Sequence, residues 1–346
     1  MIRNVFSTGR HRTSYWTGGP ANGPLMIFIH GWPELSSMWW HQLECFSALG
    51  FRCVAPDMRG YGGSSQPSSL GDFALEHIVE DMLELLGGLG AERALWIGHD
   101  WGAPVVWSLA SHHAGKCIGA VNLCVPYLAN GFAPPNLVPL VNRTLYPEAQ
   151  YPAGQWDYML FYEKDFEAVR AVFEANVPAL FKALIRRGSA EAVRKPSRTA
   201  TVSRDGGWFG GASQAPVLPR DEAVLSQEAL DRYVEAFETN GFFGPNAWYM
   251  NHRQNMAYAA KAPGEGKLRL PVLFLHAAYD AVCETMDSRL AEPMRRDCLD
   301  LTEAVLETGH WMVQEQPERV NAAIARWLAA RVPEFWPFQE YRKPEV

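Results

Sequence analysis

The chain has no excess of basic charge. Lysine and arginine number 31 against 38 acidic residues, a formal balance of −7, and a surface of that sign repels phosphate backbones and anionic bilayers. Nucleic acid and membrane are therefore not expected partners. Long apolar runs are also missing: no stretch reaches the roughly 18 consecutive apolar residues that a membrane span needs. The start, Met1-Ile2-Arg3-Asn4, lacks the basic-then-apolar layout of a secretory signal, which points to the cytoplasm. The six cysteines (Cys45, Cys53, Cys117, Cys124, Cys283, Cys298) contain no C-x-x-C pair; scattered through apolar surroundings, they read as reduced, buried thiols. No H-E-x-x-H is found. His112-His113 are neighbours on a helix and point apart. Gly60-Tyr61-Gly62-Gly63 lacks dinucleotide spacing, and Gly264-Glu265-Gly266-Lys267 lacks that of a phosphate loop. Neither a metal nor a cofactor is expected.

What is present is core material. Of 346 residues 48% are hydrophobic and 20% charged, which excludes disorder of the whole chain and leaves room for one large domain or one domain carrying an insertion. Thirteen tryptophans call for a large core or an aromatic-lined cavity.

Short continuous apolar runs, each closed by Gly, His or Asp, predict strands buried on both faces: Leu25 to Ile29, Phe51 to Ala55, Ala94 to Ile97, Ile118 to Cys124, Val272 to His276 and Leu301 to Leu306. Between them run helical periodicities at Met38 to Leu49, Phe73 to Leu89, Ala103 to His112 and Pro317 to Ala330. Alternation of this kind is an α/β signature: a mostly parallel sheet flanked by helices. From about Pro126 to Tyr258 the rhythm breaks into Pro-rich loops and helices without strands, with helices expected over Tyr158 to Val177 and Gln227 to Thr239. Ser189 to Pro219, rich in Gly, Ser, Pro and Arg, is the best candidate for a long surface loop. The expected division is a core domain of residues 1–125 and 259–346 and a mainly helical cap of residues 126–258.

Gly98-His99-Asp100-Trp101-Gly102 ends a predicted strand and opens a helix. Small residues two before and two after a central side chain are what a very sharp strand-to-helix turn demands. Such a turn thrusts Asp100 into the space above the sheet. A carboxylate attacking a carboxylic ester would give a high-energy anhydride, whereas on an sp³ carbon it gives an ordinary ester that water can cleave. The residue type therefore argues for an alkylating substrate. Hydrolysis of that ester needs a base, and His310 in Glu307-Thr308-Gly309-His310-Trp311 follows the last predicted strand. An imidazole is largely neutral at pH 7 and able to take a proton from water. Asp280, after the preceding strand, supplies an orienting carboxylate, and nucleophile, acid, histidine is the chain order of the α/β-hydrolase triad. The backbone N–H groups of Trp101 and Trp32 are the natural oxyanion donors, the second from His30-Gly31-Trp32-Pro33, where the proline can be cis. His30, His99 and His276 read as hydrogen-bonded packing residues.

With these segments and Asp57-x-Arg59-Gly60-Tyr61-Gly62-x-Ser64, the chain resembles the epoxide hydrolases of the α/β-hydrolase superfamily from about residue 10 to about residue 330. Trp156-Asp157-Tyr158-Met159-Leu160 and Gly241-Phe242-Phe243-Gly244-Pro245-Asn246-Ala247-Trp248-Tyr249 are similar to the two cap segments of soluble epoxide hydrolases. The resemblance implies the α/β-hydrolase fold, a small-molecule epoxide and water as substrates, and Tyr158 and Tyr249 as donors to the epoxide oxygen. Met159 stands where close relatives carry a polar residue, and the loop of residues 189–219 is longer. Pocket-lining candidates are Trp32, Trp101, Trp156, Met159 and Phe161. A haloalkane or haloacid dehalogenase using the same triad is the alternative reaction, and a non-catalytic ligand-binding protein on the same fold is a further reading; a homodimer is compatible with either.

Overall fold

In the computed structural model, residues 1–337 are described; residues 338–346, the end of the second expected core segment, lie outside them. Eight strands form one sheet in the order β1-β2-β4-β3-β5-β6-β7-β8. Six are the predicted runs, shifted by a residue or two: β3 (Leu25–Ile29), β4 (Arg52–Pro56), β5 (Ala94–His99), β6 (Cys117–Leu123), β7 (Val272–Ala277) and β8 (Leu301–Leu306). These six pair in parallel. Every residue of β3, β5 and β7 is buried, which is why those runs carry no alternation.

Sequence periodicity missed β1 (Ile2–Ser7) and β2 (Arg12–Gly18), which pair antiparallel with each other and, through β2, with β4. The reason is exposure: β1 is an edge strand with Ile2 66% and Val5 58% exposed, so it has neither a continuous apolar run nor a clean alternating face. Helices α1 (Trp40–Ala48), α2 (Leu75–Gly88) and α3 (Gly102–His112) connect the parallel strands. A helix at Pro317–Arg331, followed by a 3₁₀ turn at Pro333–Phe335, buries Val320, Ile324, Trp327 and Leu328, an i, i+4, i+7, i+8 stripe. Among the described residues no helix is long and apolar enough to cross a membrane. All six cysteines are free, and Cys45 is only half-buried where burial was expected.

No strand lies between β6 and β7, and the intervening chain is helical or irregular. The single helix expected over Tyr158 to Val177 is instead Asp157–Lys164, Phe166–Glu174 and Val177–Leu184. Asp165 and Asn176 interrupt it because each accepts a backbone N–H with its own side chain, from Ala168 and Ala179, and so starts a new helix. The helix Gln227–Asn240 is nearly as expected, capped by Ser226 on Ala229 N. Within residues 189–219 the chain is irregular, yet Ala200, Val202 and Ala215 are buried. Most of the segment is nonetheless exposed, as expected of a surface loop, and only these three side chains in it are buried.

The Asp57 to Ser64 motif fastens this helical segment to the sheet. Asp57 Oδ1 accepts Ser36 N and its Oδ2 accepts Gly63 N at 3.0 Å, which folds the loop after β4 back on itself. His30 Nε2 accepts Met58 N at 2.9 Å, joining the β3 and β4 loops. A Cβ on Gly60 would lie 2.9 Å from Gly244 Cα, so the second cap segment reaches the core by backbone contact that only glycine permits. Arg59 grips Asp81 on α2 through two bonds of 2.7 Å, and Arg10 adds a third at 2.6 Å.

Arg59 and Asp81 are both buried, so removing the carboxylate leaves a guanidinium without its counter-charge in the interior. Asp81→Ala is expected to lower unfolding stability by about 3–5 kcal/mol. Urea denaturation checks this, and a loss below about 1 kcal/mol would show that water reaches Arg59.

Candidate active site

Adjacent strands whose connections lead to opposite sides leave a crevice at their carboxyl ends. Here β3 leads to β4 on one side while neighbouring β5 leads to β6 on the other. Asp100 follows β5 at that point with φ 51°, a left-handed conformation that costs a non-glycine residue about 1–3 kcal/mol. The turn persists because the helix behind it packs directly on β3: a Cβ on Gly102 would sit 2.2 Å from the Ile29 carbonyl oxygen. Trp32, preceding a cis proline, presents its N–H to Asp100 Oδ1 at 2.7 Å.

His310, after β8, faces Asp100 Oδ2 with Nε2 at 3.4 Å and bonds Asp280 Oδ2 through Nδ1 at 2.7 Å. Asp280 Oδ1 in turn accepts Val282 N and Cys283 N, each at 2.9 Å. The His310 carbonyl is held by the His99 ring at 2.8 Å and by Cys124 Sγ at 3.4 Å. Glu315 accepts the N–H of Gly309 at 2.9 Å and that of Gly188 at 3.3 Å, tying the histidine loop to the helical segment. Asp100, His310 and Asp280 thus form one hydrogen-bonding line.

Electrostatics makes this line an ion chain. Burial favours neutral carboxyls, but for Asp100 the hydrogen bond and charge of His310 outweigh it and hold the acid below its ordinary range. Asp280 is low for the same pair of reasons, with the Cys283 and Val282 N–H groups adding to it. Burial opposes a charged His310, yet Asp280 and the bond to Asp100 raise it well above the usual imidazole value. Beneath them His99 is fully buried; burial resists its protonation, but Cys124 and the Glu34 carboxylate at 3.4 Å push it up to about 10. Glu34, also bonded by Tyr233 and Gln314, escaped sequence reasoning. Its position next to the His-Gly-Trp-Pro turn was the available signal.

A cavity of about 170 Å³ opens over Asp100 and His310 with Tyr158 and Tyr249 opposite; Trp32, Leu184, Thr199, Trp208, Val282 and Trp311 complete its wall. The two tyrosine rings lie 5.7 Å apart at 73°. Burial, then neighbouring negative charge, pushes both phenols well above their ordinary value, so they remain O–H donors.

Of the five expected lining residues, only Trp32 is in this wall. Trp101 turns from it to pack edge-on against Tyr249 and Trp248. Trp156 meets Phe132 edge-on, and Met159 and Phe161 are buried beside it in the core. For Met159 the reason is helical phase: Tyr158 lines the cavity, and its immediate neighbour is rotated about 100° away. Trp208, on the segment expected to be a surface loop, was not foreseen as part of the wall. Its signal is a Trp-Phe pair between two Gly-Gly pairs.

His30 and His276 are packing groups. His30 takes Met58 N, and His276 bonds Thr285 at 2.7 Å and Glu303 at 2.9 Å. Among the described residues two groupings have metal-ligand spacing, His99-Cys124-His310 and Asp280-Cys283-His310. Both borrow His310, whose two nitrogens already face carboxylates.

A family model described as alpha/beta hydrolase fold matches residues 24–317. The chain is 32% identical to Epoxide hydrolase A of Mycobacterium tuberculosis, covering 90% of this chain and 92% of that one. It is 30% identical to Bifunctional epoxide hydrolase 2 of Sus scrofa over 89% of its own length, and spans 52%, about half, of that relative. The crystal structure of Epoxide Hydrolase A from Mycobacterium thermoresistibile aligns with TM-score 0.78 at 27% identity, covering 95% of this chain and 98% of that one.

The raised His310 also makes stability pH-dependent. A folded-state value above the unfolded one of about 6.5 means that the native protein binds more protons as pH climbs past 6.5. The stabilisation is complete below that pH and declines above it, by up to about 1.4 kcal/mol per pH unit. The stability difference between wild type and His310→Gln should therefore shrink from pH 6 to pH 8.5 in urea titrations. A constant difference would mean that His310 is neutral in the folded state.

Proposed function

The chain belongs to the α/β-hydrolase family, and from that premise we propose that it hydrolyses an epoxide to a vicinal diol through a covalent ester on Asp100. The observation that carries the reading is one small cavity whose wall holds a half-buried carboxylate kept below its ordinary range and two phenols kept above theirs. A nucleophile on one side and two acids on the other suit a strained C–O bond that must be attacked and protonated together.

Asp100 Oδ1 is occupied by the Trp32 N–H, which leaves Oδ2 as the attacking atom. As the new C–O bond forms, the ring C–O bond breaks and its electron pair goes to the former ring oxygen. Tyr158 and Tyr249 donate to that alkoxide and supply its proton. Ester formation abolishes the charge of Asp100, and with it part of what raises His310. The imidazolium gives up its proton, which through solvent restores the phenol, and the neutral imidazole then accepts a proton from water and later hands it to the leaving alcohol, while Asp280 steadies its other nitrogen. Hydroxide attacks the Asp100 carbonyl carbon, and the charge gathering on Oδ1 meets the N–H groups of Trp32 and Trp101. The leaving alcohol carries Oδ2 away, and the water oxygen remains in the regenerated carboxylate. Substrate and water are the only reactants in this scheme.

Removing the base should stop the cycle at the ester. His310→Gln incubated with a small aryl epoxide is expected to gain the mass of the whole epoxide on the Asp100 peptide. An adduct formed only with a primary haloalkane would assign dehalogenase chemistry instead, and no adduct with any alkylating probe would overturn the reading. Tyr158→Phe and Tyr249→Phe should each lower kcat on epoxides, and together by about 10²–10⁴-fold, the range for positioned general acids. Equal rates in wild type and the double variant would remove the phenols from the mechanism.

A further inference from the structure

A second cavity, of about 390 Å³, lies against the first. The side chain common to both walls is Trp208. On the inner side its ring is 5.8 Å from Trp32 and 5.5 Å from Tyr158. On the outer side the chamber is bounded by Val202, Phe209, Ala212 and Pro216, with Arg198 and Asp205 at its polar margin. A single indole thus separates the space over Asp100 from a larger and mostly apolar one.

The surroundings of this indole are those of a movable wall. Gly206, Gly207, Gly210 and Gly211 bracket Trp208-Phe209, all with positive φ, and a Cβ on any of them would meet nothing closer than 3.7 Å. The glycines are therefore not demanded by crowding, and their backbone freedom leaves the bracket soft. The indole N–H is buried and has no acceptor among the described residues, which disfavours the position it occupies. Ring contacts with Trp32, Tyr158 and Phe173 hold it there against that cost.

We propose that Trp208 is the specificity-determining residue for substrate length: in place, it confines substrates to the small chamber over Asp100, and its displacement joins the two chambers for elongated apolar chains. This rests on the reading that the Asp100 cavity is where the epoxide binds.

The test is a binding series that needs no turnover. Unreactive n-alkanamides of increasing length are titrated into the full-length wild type and Trp208→Ala, each checked by circular dichroism. Each methylene buried should tighten binding about fourfold. Wild type is expected to gain affinity with length and then level off once the inner chamber is full. Trp208→Ala should continue to gain past that length, and its ratio of kcat/KM for a long over a short terminal epoxyalkane should rise at least tenfold. Trp208→Leu carries the same comparison should the alanine variant not fold. The same levelling point in wild type and variant, or none in wild type, would overturn the proposal. Failure of wild type to hydrolyse any epoxide would instead strike the functional reading, while the binding series still decides the role of Trp208.

Discussion

The sharp turn at Asp100 is the constraint on which the rest depends. A left-handed aspartate is unfavourable by itself and survives because α3 is pressed so closely on β3 that no side chain fits at Gly102. That pressure places the carboxylate over the point where neighbouring strands send their connections apart, the one stretch of the sheet's edge left uncovered by crossings. The β3 loop then meets it with an N–H, and the β7 and β8 loops bring Asp280 and His310 alongside. Four strand ends converge because parallel strands all point the same way.

Burial at that convergence would ordinarily neutralise acids. Charge alternation prevents it: Asp280, His310 and Asp100 succeed one another, with His99 and Glu34 below. Along the line Asp280, His310, Asp100, each group is held toward its charged form by a neighbour of the opposite sign. The arrangement is self-consistent only while every member is present, so in the proposed reaction loss of the Asp100 charge on alkylation would change the basicity of His310 without any movement of the chain. In that proposal the nucleophile and the base act in succession, and electrostatics would order them in time.

The helical segment between β6 and β7 supplies the opposite character, aromatic and neutral. Tyr162 stacks on Tyr249 at 4.3 Å, Tyr249 meets Trp101 at 5.1 Å, and Trp208 closes the group against Trp32. Phenols kept in such company stay protonated, which suits them to donate rather than to attack. The backbone contact of Gly60 with Gly244 fixes the depth at which this aromatic layer sits over the carboxylate.

The α/β alternation, the six parallel strands and the candidates Asp100, Asp280 and His310, which the fold brings together, were readable from sequence alone, because buried strands demand continuous apolar runs and because the turn at Asp100 needs glycines at fixed spacing. The tyrosine pair became visible only through a resemblance, since nothing in twelve scattered tyrosines separates these two. The edge strand β1 was hidden by its own exposure, and the breaks at Asp165 and Asn176 by capping that competes with a continuous helical pattern. Only the tertiary structure decided which aromatic residues line the cavity. Trp101, Trp156, Met159 and Phe161 are as apolar as Trp208, and composition ranks them equally. What separates them is direction: the phase of a side chain on its helix and the path of an irregular segment depend on contacts between distant residues, which local sequence does not encode.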